Sequence, residues 1–342
     1  MARPVLSDIT AWITELALRH PDTLRQALAE RLQVGPARAR ALLRDLVATQ
    51  WLRAEGSPRR RRYAPGLLRQ VVRSYPIAGL QEDLPWSCDF LPCFELPDPV
   101  ARMAQHAFTE LLNNAIEHSG GSRVTVSMRQ TPQQLQLLVS DDGRGIFDAI
   151  GETYQISDPV LAMLELAKGK LSTRPDRHSG RGLFFTARLA DVIDLHANNL
   201  AFQQCDWQRE QWRRARPACR HGSSVYVGIC LDTRRTLADV LRRYSLDGLG
   251  CGFERTVVPL KLISDAQVAL DSRAQAQRVA SRLQQFRRVE LDFDGLADVG
   301  HGFVDELLRV FHHQHPEVEL VALNMAPSVA AMVESVRELA PA

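Results

Sequence analysis

Apolar positions recur at helical spacing through Ile9 to Leu18, Leu24 to Leu32 and Ala37 to Ala48, and this periodicity predicts three helices in succession. Ser7 and Asp22 are placed to cap the first two, and Gly35-Pro36 makes the turn into the third. The short runs Trp51 to Ala54 and Arg61 to Tyr63 then flank Glu55-Gly56-Ser57-Pro58, which predicts a hairpin. Ala107, Leu111, Leu112, Ala115 and Ile116 predict an amphipathic helix over 106–118. On it Glu110, Asn114 and His118 fall at i, i+4 and i+8, along one stripe.

Past this helix the period changes. Leu135 to Val139 reads as a strand running into Asp141-Asp142-Gly143-Arg144-Gly145-Ile146, and Gly222 to Val227 as a strand able to return beside it. Asp158-Pro159 starts a helix through Leu166, and Phe184 to Leu189 reads as another. From about residue 250 strands and helices alternate. Val257 to Ile263, Val289 to Phe293 and Val318 to Leu323 are strand-like; Ser272 to Phe286, Phe303 to Phe311 and Ser328 to Leu339 are helical. This order implies a small α/β domain with a mixed or parallel sheet. Pro76, Pro85, Trp86 and Pro92 mark an ordered, extended connector. Residues 203–221 read as an exposed hairpin or loop insertion.

A length of 342 residues with 45% hydrophobic content suits two or three domains. The start of the chain has no charged-then-apolar leader pattern. No apolar run approaches the roughly 18 residues that cross a bilayer, so no membrane partner is expected. Six cysteines without a Cys-x-x-Cys pair fit a reducing cytoplasm and disfavour a zinc cluster.

The net charge of +2 is uninformative, but its distribution is not. Residues 7–64 hold many arginines and no lysine. Arg38, Arg40 and Arg44 lie on or near the outward face of the third helix, and Arg59, Arg60, Arg61 and Arg62 lie at the hairpin. Such a run is either a solvated face or an anion contact, and phosphates relieve its self-repulsion. The pattern resembles bacterial winged-helix regulators, which implies double-stranded DNA as a partner, with protein docking as the alternative. Paired half-sites would make the protein a homodimer.

An Asp delivered by a strand into two close glycines suits an adenine amino group, since the carboxylate accepts and the backbone can approach the base. Gly180-Arg181-Gly182 before a helix suits phosphate oxygens. Four ordered segments together resemble the GHKL family, the ATP-binding fold shared by gyrase, heat-shock chaperones and histidine kinases. They are Glu110 to His118, Asp141-x-Gly143-x-Gly145, Gly180-x-Gly182 and Gly222-Ser223-Ser224. The resemblance implies an α/β two-layer sandwich that binds ATP with Mg²⁺ beneath a flexible lid. By it, Asn114 would hold Mg²⁺, Asp141 the adenine, Gly143 and Gly145 the closing backbone, Gly180 and Gly182 the phosphates, and Ser223 would assist at the adenine end. Glu110 would orient an attacking water, although anti-sigma-factor kinases also carry Glu there. Arg181 either reaches the γ-phosphate or is solvated. In the lid, residues 147–177, Lys168, Lys170, Arg174 and Arg177 would supply cations near the phosphates.

Val299-Gly300-His301-Gly302-Phe303-Val304-Asp305-Glu306-Leu307 resembles the STAS-like domain of anti-sigma-factor antagonists, which implies a protein partner. No hydroxyl stands at the start of that helix, so the antagonists' phosphorylation does not carry over. The expected organisation is an α/β multidomain protein, bacterial in type. It comprises a winged helix-turn-helix (1–66), a connector (67–95), a GHKL domain (96–232) and a STAS-like domain (250–342). The function it implies is a nucleotide-dependent, DNA-binding transcription regulator with slow ATP hydrolysis. The alternative is an anti-sigma-type protein kinase or switch acting through its STAS-like domain.

Overall fold

Three helices and a hairpin open the chain, in the order the apolar pattern predicts: α1 (Leu6–Arg19), α2 (Leu24–Leu32), α3 (Pro36–Ala48), β1 (Leu52–Glu55) and β2 (Arg62–Pro65). This computed structural model describes residues 6–57, 60–172, 179–205, 212–217, 220–264 and 269–338. The strands pair antiparallel with Glu55 opposite Arg62. Ile9, Ile13, Leu24, Leu28, Leu42, Leu46 and Trp51 form one core. In α3 the buried positions are Ala39, Leu42, Leu43 and Leu46, with Val47 packed partly buried against the same core. Both expected caps are replaced. Helix α1 already begins at Leu6, and Ser7 offers its carbonyl to the Thr10 hydroxyl at 2.9 Å. Asp22 instead pairs with Arg62 at 2.8 Å, tying the hairpin to the helices.

The chain divides into two units, the first holding residues 1–143, 191–193 and 222–234. Within it β3 (Arg69–Pro76) pairs antiparallel with β4 (Arg123–Gln130), and β4 with β5 (Gln134–Asp141). In turn β5 pairs antiparallel with the strand Arg220–Cys230, β9 in chain order. Helix α4 (Asp98–His118) lies against β4 and β5. Its Met103, Ala107, Phe108, Leu111 and Leu112 are buried, as are Val124, Val126, Leu135, Leu137 and Val139 on alternate strand positions.

Residues 67–95 are therefore more than a connector. They supply β3, and Trp86 and Phe90 set their rings edge-on to Phe108 at 5.3 and 5.1 Å. The sequence of β3 alternates only weakly, which hides the strand, because α1 covers it with polar contacts. Gln70 donates its backbone N–H to the Thr14 hydroxyl at 3.1 Å, and Arg73 pairs with Glu15. Arg69 is buried and bonds the Cys93 carbonyl at 3.3 Å and Glu95 at 2.5 Å.

The second unit holds residues 144–190, 194–221 and 235–342. Its helices α5 (Ile146–Tyr154), α6 (Pro159–Lys168) and α7 (Gly182–Leu189) are followed by β6 (Val192–Asn198), β7 (Leu200–Cys205) and β8 (Trp212–Arg214). Strands β7 and β8 pair antiparallel with Gln203 opposite Arg213, so the described part of the 203–221 segment is the hairpin alternative, with Arg213 and Arg214 exposed but Trp212 buried. After α8 (Leu237–Arg243), the strands β10 (Arg255–Pro259), β11 (Arg288–Asp292) and β12 (Glu319–Leu323) form a parallel three-stranded sheet. Helices α9 (Arg273–Ala280), α10 (His301–Asp305), α11 (Phe311–Gln314) and α12 (Pro327–Glu338) complete this part. Ser272 caps α9 in a reciprocal box with Gln275. The single helix expected through Phe286 ends at Ala280, where Arg282 takes a left-handed conformation (φ +65°).

Candidate functional site

Strand β5 ends at Asp141, and the residues that follow decide how its carboxylate is held. Oδ1 accepts the backbone N–H of Gly143 at 2.9 Å and of Ser223 at 3.2 Å. Oδ2 has no donor among the described residues. Burial pushes the Asp141 carboxyl above its usual range, and the two amides oppose that shift. The neighbouring Ser140 and Ser224 hydroxyls meet at 2.6 Å across the β5–β9 pair, so the strand carrying Gly222 and Ser223 returns beside Asp141 as its sequence suggested. Gly143 is required by space. A Cβ there would lie 2.3 Å from the Ser119 carbonyl at the C-terminal end of α4. Asp142 plays a structural part, accepting the Ser122 hydroxyl at 2.6 Å and the backbone N–H groups of Ser122 and Arg123 at 2.7 and 2.9 Å. These bonds, led by the Ser122 hydroxyl, hold its carboxyl down at about 2.

Glu110 and Asn114 sit one turn apart on the half-buried stripe of α4, with His106 one turn before them. The imidazole Nε2 of His106 is buried without a hydrogen-bond partner among the described residues, and burial pushes its pKa down. Thus Glu110, Asn114, Asp141, Gly143 and Ser223 all belong to the first unit.

Gly145, Gly180, Arg181 and Gly182 belong to the second. Gly145 precedes α5, and Gly182 is the first residue of α7. Gly180 takes φ +63°, and a Cβ there would stand 2.4 Å from the Leu171 backbone. Sequence reasoning missed Asn198. Its amide donates to the Arg144 carbonyl at 3.0 Å and to Asp148 at 2.6 Å, fixing the loop around Gly145. The signal available was the Asn-Asn dipeptide between two strand-like runs, a tight-turn pair.

The lid cations do something other than expected. Lys168 is fully buried. Its ammonium bonds Glu165 at 2.5 Å and the carbonyls of Ser281 and Arg278 at 2.9 and 3.4 Å, just past and within α9. Arg282 bonds Glu165 at 2.8 Å and the carbonyls of Gly169 (3.2 Å) and Lys170. Lys170 donates to the Gln285 carbonyl at 2.5 Å and lies 4.5 Å from the Phe286 ring centre. Arg181 donates to the Cys251 carbonyl at 3.3 Å beside the Phe253 ring, so it is neither freely solvated nor unoccupied. Lys168 and Lys170 thus both bond the C-terminal α/β part: for Lys168, burial makes an unpaired ammonium too costly and nearby carbonyls satisfy it, while Lys170 is half-buried. Arg174 and Arg177 lie outside the described residues.

At the N-terminal module Arg40, Arg44, Arg60, Arg61 and Arg62 are exposed and Arg38 is half-buried. Arg62 is the one paired to Asp22; Arg59 lies outside the described residues.

Two family models match the chain. The histidine kinase-like ATPase domain matches residues 86–201, from the turn that holds Trp86 to the start of β7. A STAS-like domain of unknown function (DUF4325) matches residues 275–330, from α9 into α12. The protein therefore contains an ATPase-type domain and a small C-terminal α/β domain in one mixed α/β chain. Comparison with curated proteins finds no match. Among the described residues no helix is long and apolar enough to cross a membrane.

Proposed function

We propose that this protein binds ATP with Mg²⁺ and uses the nucleotide to set the state of a DNA-binding regulator. One observation carries the nucleotide reading: the half-buried Asp141 carboxylate, whose Oδ1 accepts two backbone amides and whose Oδ2, without a donor among the described residues, can accept an adenine amino group. The residues fit the nucleotide. Gly143 leaves no room for a side chain between β5 and α4, and Asn114 presents an amide from the half-buried stripe of that helix. In this reading Asn114 holds the metal, Ser223 assists at the adenine end, and Gly145, Gly180 and Gly182 keep the backbone close to base and phosphates. Glu110 orients the water for slow hydrolysis, the metal supplying charge neutralisation when bound. The domain bounds follow as an N-terminal module through residue 66, an ATPase domain running from the segment of Trp86, and a STAS-like domain from about residue 250.

DNA is the partner proposed for the first module, whose helix-helix-helix-hairpin order places Arg40, Arg44, Arg60 and Arg61 in solvent. Its α1 is bonded to β3 through Thr14 and Glu15, which gives the ATPase sheet a direct mechanical link to that module. The test is binding of a labelled ATP analogue to wild type and Asp141→Asn, phosphate release from wild type and Glu110→Ala, then DNA affinity with and without nucleotide. Equal DNA affinity in both states would remove the coupling. The match to a STAS-like domain supports a second reading, a protein kinase or switch acting on a partner. Transfer of radiolabel from ATP to a protein would favour it over hydrolysis.

A further inference from the structure

The second unit contains a cavity of about 520 Å³, a volume in the range of small-molecule sites. Val160 and Leu161 of α6 line it from one side and Trp212 of β8 from another, while Leu262, Ile263 and Arg278 face it from the STAS-like part. Val160, Trp212 and Leu262 are buried, so the walls are apolar. The rim is cationic. Arg213, Arg214, Lys261 and Arg278 all stand at it, exposed, and none is paired with a carboxylate among the described residues. Two acids share the lining, and one of them, Asp158, already accepts the Val160 backbone N–H at 2.9 Å to cap α6. Four unpaired cations around an apolar hollow call for a ligand with the opposite charge and an apolar body.

We propose that this cavity binds a small organic anion, an apolar body carrying a carboxylate or a phosphate ester, and that the ligand acts on the lid. The path is short. Val160 and Leu161 belong to α6, which ends in Lys168, and Arg278 belongs to α9 and gives its carbonyl to the Lys168 ammonium. An anion held by Arg278 and Lys261 against α6 strengthens the seating of the lid helix on the STAS-like part. Only this coupling rests on the nucleotide reading; the site itself does not.

The test uses the full chain, with octanoate and octyl phosphate as the two head-group probes and octylamine as the charge control, titrated by calorimetry and by tryptophan fluorescence. One-site binding of either anion is expected, with no binding of the amine. Lys261→Glu combined with Arg278→Glu, both exposed positions, should weaken that binding by at least about tenfold while thermal unfolding stays unchanged. Should the double variant lose its fold, Arg214→Glu at the β8 lining repeats the test. Absence of anion binding up to about 10 mM, equal binding of octylamine, or undiminished binding in the variants overturns the proposal. The preferred head group separates a carboxylate ligand from a phosphate ester. Saturating anion should then shift the affinity for an ATP analogue in wild type and leave it unmoved in the double variant. Unchanged affinity removes the coupling, whereas anion binding by a protein that takes no nucleotide would sink the ATP reading alone.

Discussion

The arginines of the N-terminal hairpin and the lysines of the lid were legible in the sequence as the same thing, cations waiting for phosphate. In the folded chain they have opposite fates. Arg60 and Arg61 remain in solvent, while Lys168 is fully enclosed by Glu165 and two backbone carbonyls. A basic side chain is available to an anion only if nothing nearer desolvates and satisfies it. The helix that carries Lys168 is apolar enough to be buried, and its ammonium had to be neutralised inside.

The largest effect that would sharpen this contrast is expected at Lys168. Lys168→Met leaves Glu165 with Arg282 as its one cationic partner among the described residues and should cost about 3–5 kcal/mol of unfolding free energy, read by denaturant titration. A loss below about 1 kcal/mol would show that the buried network is dispensable, and the contrast would collapse. Next comes Asp141→Asn. The amide can no longer accept at both oxygens, and affinity for an ATP analogue should fall by about 10- to 100-fold with little change in fold.

The same carboxylate gives a pH dependence. Burial raises its folded-state pKa, so the folded protein is disfavoured as pH rises through the window from the ordinary carboxylate value of about 4 up to the raised one. Nucleotide binding needs the ionised form and should run the other way, falling as pH drops through that raised pKa. A binding midpoint at or below about 4 would contradict the assignment.

At the hairpin, Arg60→Ala with Arg61→Ala should lower the salt dependence of DNA binding, reducing the slope of log K against log salt by about 1 for each phosphate that is no longer neutralised. DNA binding that keeps its full slope would remove the hairpin from the interface. The smallest expected effect is on stability. The same pair of substitutions, at exposed positions without an ion pair among the described residues, should change unfolding free energy by no more than about 0.5 kcal/mol.

Much of the architecture could be read from local pattern. The helix over 106–118, the strand into Asp141, the Asp158-capped helix and the alternating C-terminal strands all follow from periodicity and turn residues. Strand β3 could not be read that way. Its pattern Arg69-Gln70-Val71-Val72-Arg73 lacks clean alternation, and it is a strand because β4 pairs with it and α1 covers it. Trp212 likewise lies in a polar, Arg-rich stretch and is buried only because β8 pairs with β7.

The sequence by itself determined which residues could do chemistry, because an Asp before two glycines, a Glu and an Asn one helical turn apart, and a Ser on a returning strand are properties of neighbours along the chain. Tertiary structure decided which charged groups are left able to do it. Among the described residues Asp141 keeps one oxygen without a donor, Arg60 and Arg61 keep their solvent, and Lys168, Lys170 and Arg181 are taken by carbonyls that lie about 70 to 115 residues further along the chain. No local pattern records such a distant acceptor, since burial and hydrogen-bond satisfaction are settled only when the two segments meet.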